Sequence, residues 1–212
     1  LVKANDFAIE SKSRFATATI SPYFSGKQYF FTMEARAMFG LFKRHDVEMS
    51  PQVRGCITDN GKPVAGIVVV RRLMYEGYED GKEQVAYAST DSEGRFSFEK
   101  KMIKSRLPGR MFGASVPVLQ SIYIEKDNPE DQDDPYYFLW STSKSWRSIA
   151  PLSALMLKLN GDLQNKEVHH EINTQDYGGR LRQPIISICH WQGELISTYF
   201  NNELIASYDE II

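Results

Sequence analysis

The stretch from Val53 to Phe98 restricts the possible folds more than any other part of the chain. Val53, Gly55 and Ile57 alternate with Arg54, Cys56 and Thr58, the period of a strand with one buried face. Asp59-Asn60-Gly61 predicts a tight turn, because Asn and Gly tolerate the positive φ such turns require. Pro63 fixes its own φ and offers no N–H to a ladder, which assigns it to a strand entrance or edge. Ile67 to Val70 is β-branched throughout and predicts a strand buried on at least one face. Thr90-Asp91-Ser92-Glu93-Gly94 predicts a second turn, with Gly94 left-handed. Phe96 and Phe98 then share one face of a short strand and are expected in the core.

The same residues resemble a known pattern. Gly55-x-x-x-Asp59-x-Gly61-x-Pro63-Val64-x-Gly66, followed by Thr90-Asp91-x-x-Gly94-x-Phe96-x-Phe98, looks like the carboxypeptidase-regulatory-like, transthyretin-like β-sandwich. Ile67 stands where that pattern usually has a small residue. The sequence between Val53 and Trp191 also resembles an uncharacterised family of bacterial proteins, a domain of unknown function built on this module. The resemblance implies a mainly β chain whose residues 51–212 form an antiparallel β-sandwich, transthyretin-like or immunoglobulin-like, with a C-terminal hairpin. It implies no particular activity.

Residues 1–50 are expected to be an N-terminal extension, poorly structured or helical. Leu1 to Ala37 mixes Ser, Thr and Ala with scattered aromatics and keeps no period of 2 or 3.6. Met38 opens M-F-G-L-F-K-R-H-D as a natural beginning would, so the preceding segment reads as lying upstream of the true start. The alternative is a genuine helix over Thr32 to Phe42. Lys43 and Arg44 follow the apolar residues instead of preceding them, the reverse of a secretory signal. The expected location is therefore cytoplasmic, or periplasmic or secreted if the true N-terminus is missing.

Composition narrows function mainly by exclusion. A chain of 212 residues with a formal net charge of −2 has no global pull toward nucleic acid or anionic membrane. No apolar run approaches the roughly 20 residues of a spanning helix. The two cysteines, Cys56 and Cys189, form no metal or redox motif and read as separate thiols, with one disulfide as the alternative if the protein reaches an oxidising compartment.

Beyond the first motif, Tyr75 to Glu83 reads as a solvated hairpin loop leading into a strand from Gln84 to Ser89. Lys100, Lys101, Lys104, Arg106 and Arg110 form a basic cluster with neither a glycine-rich phosphate cradle nor interleaved aromatics, so it reads as a solvated connection. Ser121 to Glu125 and Tyr136 to Trp140 predict a hairpin around K-D-N-P-E-D-Q-D-D-P. The carboxylates of Asp127, Glu130, Asp131, Asp133 and Asp134 invite calcium, but EF-hand spacing and its glycine are absent. Ser141-Thr142-Ser143-Lys144 matches S-x-x-K without its companion motifs and is read as coincidence. His169 and His170 fall on opposite faces of a strand, which keeps them off one metal ion. His190 is the remaining candidate partner, within a strand expected over Ile185 to Trp191. Asn201-Asn202 predicts the turn of a terminal hairpin.

Two enzyme classes use related sandwiches. The transthyretin-like hydrolases carry a Tyr-Arg-Gly-Ser tetrapeptide where this chain has Tyr208-Asp209-Glu210-Ile211. Intradiol dioxygenases bind iron with two tyrosines and two histidines, and their paired His-x-His spacing is not found here. The expectation is a non-catalytic protein-interaction module without cofactor or metal, toxin immunity or an accessory role being one concrete version. Its partner is an unknown protein docking at Asp127, Glu130, Asp131, Asp133 and Asp134, which project into water and steer a basic surface. The first alternative is a small-ligand or carbohydrate-binding sandwich using Tyr136, Tyr137, Trp140, Trp146 and Trp191, and the second is a metal-dependent enzyme on a transthyretin-like scaffold.

Overall fold

The computed structural model describes residues 43–109, 116–126 and 135–211. The chain runs through β1 (His45–Ser50), β2 (Val53–Asp59), β3 (Lys62–Pro63), β4 (Val68–Met74), β5 (Gln84–Ser89), β6 (Arg95–Phe98) and β7 (Lys101–Ser105). It continues with β8 (Val118–Glu125), β9 (Tyr136–Lys144), the short helix α1 (Ala150–Met156), β10 (Leu159–Asp162) and β11 (Val168–Ile172). The last strands are β12 (Gln183–Ser187), β13 (Ile196–Phe200) and β14 (Glu203–Ile205). The expected helix over Thr32 to Phe42 and the start at Met38 lie outside the described residues.

The fold is mainly β and its pairing is mainly antiparallel. Eight strands form one sheet in the order β14-β13-β11-β12-β9-β8-β4-β5. A smaller sheet is built around β2, whose Gly55 pairs with Leu159 of the parallel strand β10 on one side and Phe96 of β6 on the other. The strand β3 continues that second side through Thr58 and Asp59. The pair β1–β7 forms a third, two-stranded sheet.

The turn chemistry explains the local path. Asn60 and Gly61 hold φ of 48° and 73° between the register pairs Thr58–Pro63 and Asp59–Lys62, the two-residue hairpin that demands positive φ at both positions. Asp162 locks this turn: its carboxylate accepts from the Thr58 hydroxyl (2.7 Å) and from the Asn60 and Gly61 N–H groups (3.1 and 2.7 Å). Gly55 is required for closeness, since a Cβ there would collide with the Leu159 carbonyl and the Phe96 ring.

The main core fills the space between the two larger sheets. Val53, Ile57, Phe96 and Phe98 from the small sheet meet Val69, Ile122, Leu139, Trp140 and Ile185 from the large one. A second cluster places Val47, Met49 and Ile103 against Leu73, Tyr75 and Val118. Gln120 joins β1 to the large sheet: its amide donates to the Met49 carbonyl (2.7 Å) while its oxygen accepts from the Trp140 indole (3.1 Å).

Several sequence expectations change here. Residues 45–50, grouped on sequence with the leading segment, form a strand whose Val47 and Met49 are fully buried. The basic cluster is not a plain connection from Lys100 to Ser105, and its Arg110 lies outside the described residues. Lys101 to Ser105 pair with β1, Ile103 is buried, and Lys100 and Lys104 reach Glu48 and Asp46 at 3.1 and 3.4 Å. Tyr75 is buried rather than solvated. The strand expected to reach Trp191 ends at Ser187. There the Ser187 hydroxyl donates to the Leu139 carbonyl and accepts from the Cys189 N–H, and Cys189 bridges to Gly161 of the other sheet.

Candidate functional site

The five acidic residues expected to dock a partner, Asp127, Glu130, Asp131, Asp133 and Asp134, lie outside the described residues. The hairpin that carries them is present: β8 and β9 pair antiparallel, and the Lys126 N–H donates to the Pro135 carbonyl at 2.9 Å.

The candidate aromatic platform is taken up by packing: all five of its rings are buried or half-buried. Trp140 and Trp191 are buried and meet edge to face, 5.8 Å apart. Tyr136 stacks at a tilt on the buried Tyr123, Tyr137 packs on the main core and Trp146 on the second cluster.

The large sheet ends in two unlike edges. At one end β14 has three residues, one of them Glu203, a short charged edge of the kind that resists strand addition. At the other end β5 has six residues, Q-V-A-Y-A-S, with no charge and no proline. Its pairing to β4 is continuous, without a bulge. The Thr90 N–H donates to the Ile67 carbonyl at 2.9 Å, which makes Thr90 a hydrogen-bonded position of this ladder. Antiparallel pairing alternates such positions, so Ala88, Ala86 and Gln84 also bond to β4. Val85, Tyr87 and Ser89 therefore direct their N–H and C=O groups away from the sheet.

The side chains of those three residues point out as well. Val85 is 42% exposed, Tyr87 71%, and the neighbouring Val68 49%. On the opposite face β5 carries Ala86 and Ala88, small side chains above the rim of the smaller sheet. There a groove of about 350 Å³ is lined by Ala88 and Ser89 together with Arg54, Asp91, Arg95 and Phe96. Arg95 is paired with Asp91 (3.3 Å) and with Glu93. Arg54 is exposed and has no ion pair among the described residues.

A third region gathers the polar residues that sequence reading examined for metal. His170 is fully buried and lies between the Thr198 hydroxyl and the Cys189 carbonyl, each at 3.0 Å. A carbonyl only accepts, so Nε2 carries the proton and Nδ1 accepts from Thr198. Burial lowers the His170 pKa to about 4, and the ring is neutral at pH 7. Tyr208 donates to the Trp191 carbonyl at 2.6 Å and stacks on His190, with centroids 3.8 Å apart. His169 lies on the other face, 6.0 Å from the Tyr199 ring. Among the described residues no three His, Cys, Asp or Glu side chains converge as a metal-binding group. Both His170 nitrogens are occupied by protein partners, so this cluster is a structural joint between β11, β13 and the C-terminal turn.

Lys144, the last residue of the S-x-x-K match, is also structural. Its ammonium donates to the carbonyls of Arg147 (2.8 Å) and Ser145 (3.2 Å) and lies 3.5 Å from Glu48. Burial lowers its pKa to about 8, against the opposing pull of Glu48.

The signature of the domain of unknown function DUF6795 matches residues 53–166, more than half of the chain. The protein belongs to the DUF6795 family. The DUF6795 match begins at β2 and ends after β10, so it includes the β5 edge, Arg54 and the groove, and stops before His170. No curated protein and no solved structure matches the chain. No helix among the described residues is long and apolar enough to cross a membrane.

Sequence reading identified Gln84 to Ser89 as a strand but not as an edge. The available signal was an alternating segment free of Lys, Glu and Pro, the residues that protect edges.

Proposed function

We propose that this protein is a non-catalytic interaction module that accepts an extended strand of a partner protein along β5. The carrying observation is the row of outward backbone groups at Val85, Tyr87 and Ser89 on an uncharged edge. Added strands gain affinity from such main-chain bonds and specificity from alternate side chains. The turns at Asn60-Gly61 and Gly94, with Phe96 and Phe98 in the core, support reading the module as carboxypeptidase-regulatory-like and transthyretin-like.

A second copy of this chain is the weaker occupant. Two-fold pairing centred on Tyr87 sets Val85 opposite Ser89 of the copy, and Glu83 opposite Asp91, like facing like charge. The edge also spans only about 20 Å, too narrow a strip to bury by itself the roughly 800 Å² per partner of a stable interface between folded proteins.

The test is selection of extended peptides from a random phage-displayed library on the full chain and on a Val85→Pro/Ser89→Pro variant. Both prolines remove outward N–H groups and leave the β4 ladder intact. Peptides enriched on the parent protein are expected to bind the variant at least tenfold more weakly, with its unfolding free energy within about 1 kcal/mol of the parent. Equal binding to both proteins overturns the reading, as does a stable dimer that the prolines dissociate.

A further inference from the structure

Resting on that reading, we infer that the strand accepted by β5 carries an apolar side chain beside Val85 and Tyr87 and a carboxylate that enters the groove at Arg54. The alternation of a strand supplies the geometry. Every second side chain of an added strand lies on the outer face of the large sheet, next to Val68, Val85 and Tyr87, all of them well exposed. The intervening side chains pass Ala86 and Ala88, whose small size leaves room toward the smaller sheet. At the Ser89 end they enter the groove shared with Arg54, Arg95 and Asp91.

Charge decides what fits there. Arg95 is neutralised by Asp91 and Glu93, and Asp91 also accepts from the backbone N–H groups of Glu93 and Arg95, each at 2.9 Å. Those hydrogen bonds, led by the one from the Arg95 N–H, hold the Asp91 carboxyl below its ordinary pKa despite the cost of desolvation. Asp91 therefore stays an anion already committed to the turn. Arg54 remains the groove's uncommitted cation, with five N–H donors in a planar fork suited to a carboxylate. A basic side chain at the same position would meet Arg54 as a like charge.

The test uses the same displayed library on the full chain and on Arg54→Glu. Peptides selected by the parent protein are expected to show Asp or Glu at one fixed position, flanked on both sides by apolar residues. Arg54→Glu is expected to select Lys or Arg there, and to weaken a synthetic acidic peptide about fivefold, more at low salt than at high. Selection without an acidic position, or an acidic preference that survives Arg54→Glu, overturns the inference while the edge reading stands if the prolines still block binding. Binding that ignores the prolines overturns the edge reading itself, and absence of any enrichment overturns both.

Discussion

Lys144 and His170 are both bases buried at structural joints, and the protein treats them oppositely. Lys144 keeps its charge at neutral pH, held by two carbonyls and Glu48. His170 gives its charge up, and its ring is satisfied as a neutral donor and acceptor by Cys189 and Thr198. The difference follows from the partners. A carbonyl pair beside a carboxylate rewards an ammonium, whereas a hydroxyl able to donate rewards a neutral imidazole. One joint therefore bears the desolvation of an ion at pH 7 and the other does not.

The largest expected effect comes from breaking the charged joint. Glu48→Ala leaves Lys144 buried without its carboxylate and is expected to destabilise by ~3–5 kcal/mol in denaturant titration. A loss under about 1 kcal/mol would show that the carbonyls suffice alone. Replacing both partners, Glu48→Met with Lys144→Met, is expected to recover most of the loss, because a packed apolar pair carries no desolvation cost.

The pH dependence separates the joints next. The folded pKa of His170 is lowered from 6.5 to about 4, so between those values the unfolded chain binds more protons. Stability contributed there is complete above pH 6.5 and is lost as pH falls through 4, by about 3 kcal/mol. Lys144 is lowered from 10.5 to about 8 and has the same sign in another window: stability rises by about 3 kcal/mol as pH climbs from 8 to 10.5. Unfolding free energies of the parent, His170→Asn and Lys144→Met across pH 4 to 10 would resolve the two. The acid slope should flatten only in the first variant and the alkaline slope only in the second. Midway between the two windows, near pH 7, both contributions are small, and a strong slope there that either variant removes would refute the pairing.

The smallest effect sharpens the neutral joint. Tyr208→Phe removes the donor to the Trp191 carbonyl (2.6 Å) and keeps the ring on His190. A loss of about 1 kcal/mol is expected by thermal or chemical denaturation. A loss several times larger would make Tyr208 an organising residue of the joint.

Elements whose instructions are local were legible in the sequence. Asn60-Gly61, Gly94 and Asn201-Asn202 carry the positive φ that their turns require, and Phe96 and Phe98 announced their shared buried face by spacing alone. What stayed hidden depends on partners distant in sequence. Lys101 to Ser105 reads as a charged linker until β1 pairs with it, and only that pairing buries Ile103. Lys144 looks like a surface lysine until Glu48, far back in the chain, arrives beside it. The strand expected through Trp191 stops because Ser187 bonds its own neighbour and hands the chain to the opposite sheet. The β5 edge is a property of sheet order, which no local window contains.

The placement of β10 has one more consequence. Its Asn160 pairs with Cys56 on β2, and its Gly161 bridges to Cys189 on the other side. The two sulfur-bearing residues are thus separated by a whole strand, roughly 9–10 Å between backbones, beyond the reach of a disulfide. Burial pushes the Cys189 thiol up to about 12, so it stays protonated and unreactive while the protein is folded. The fold is consequently held together without a bond between its two cysteines, and a thiol reagent that modifies Cys189 would be reporting that the β10 seam has opened.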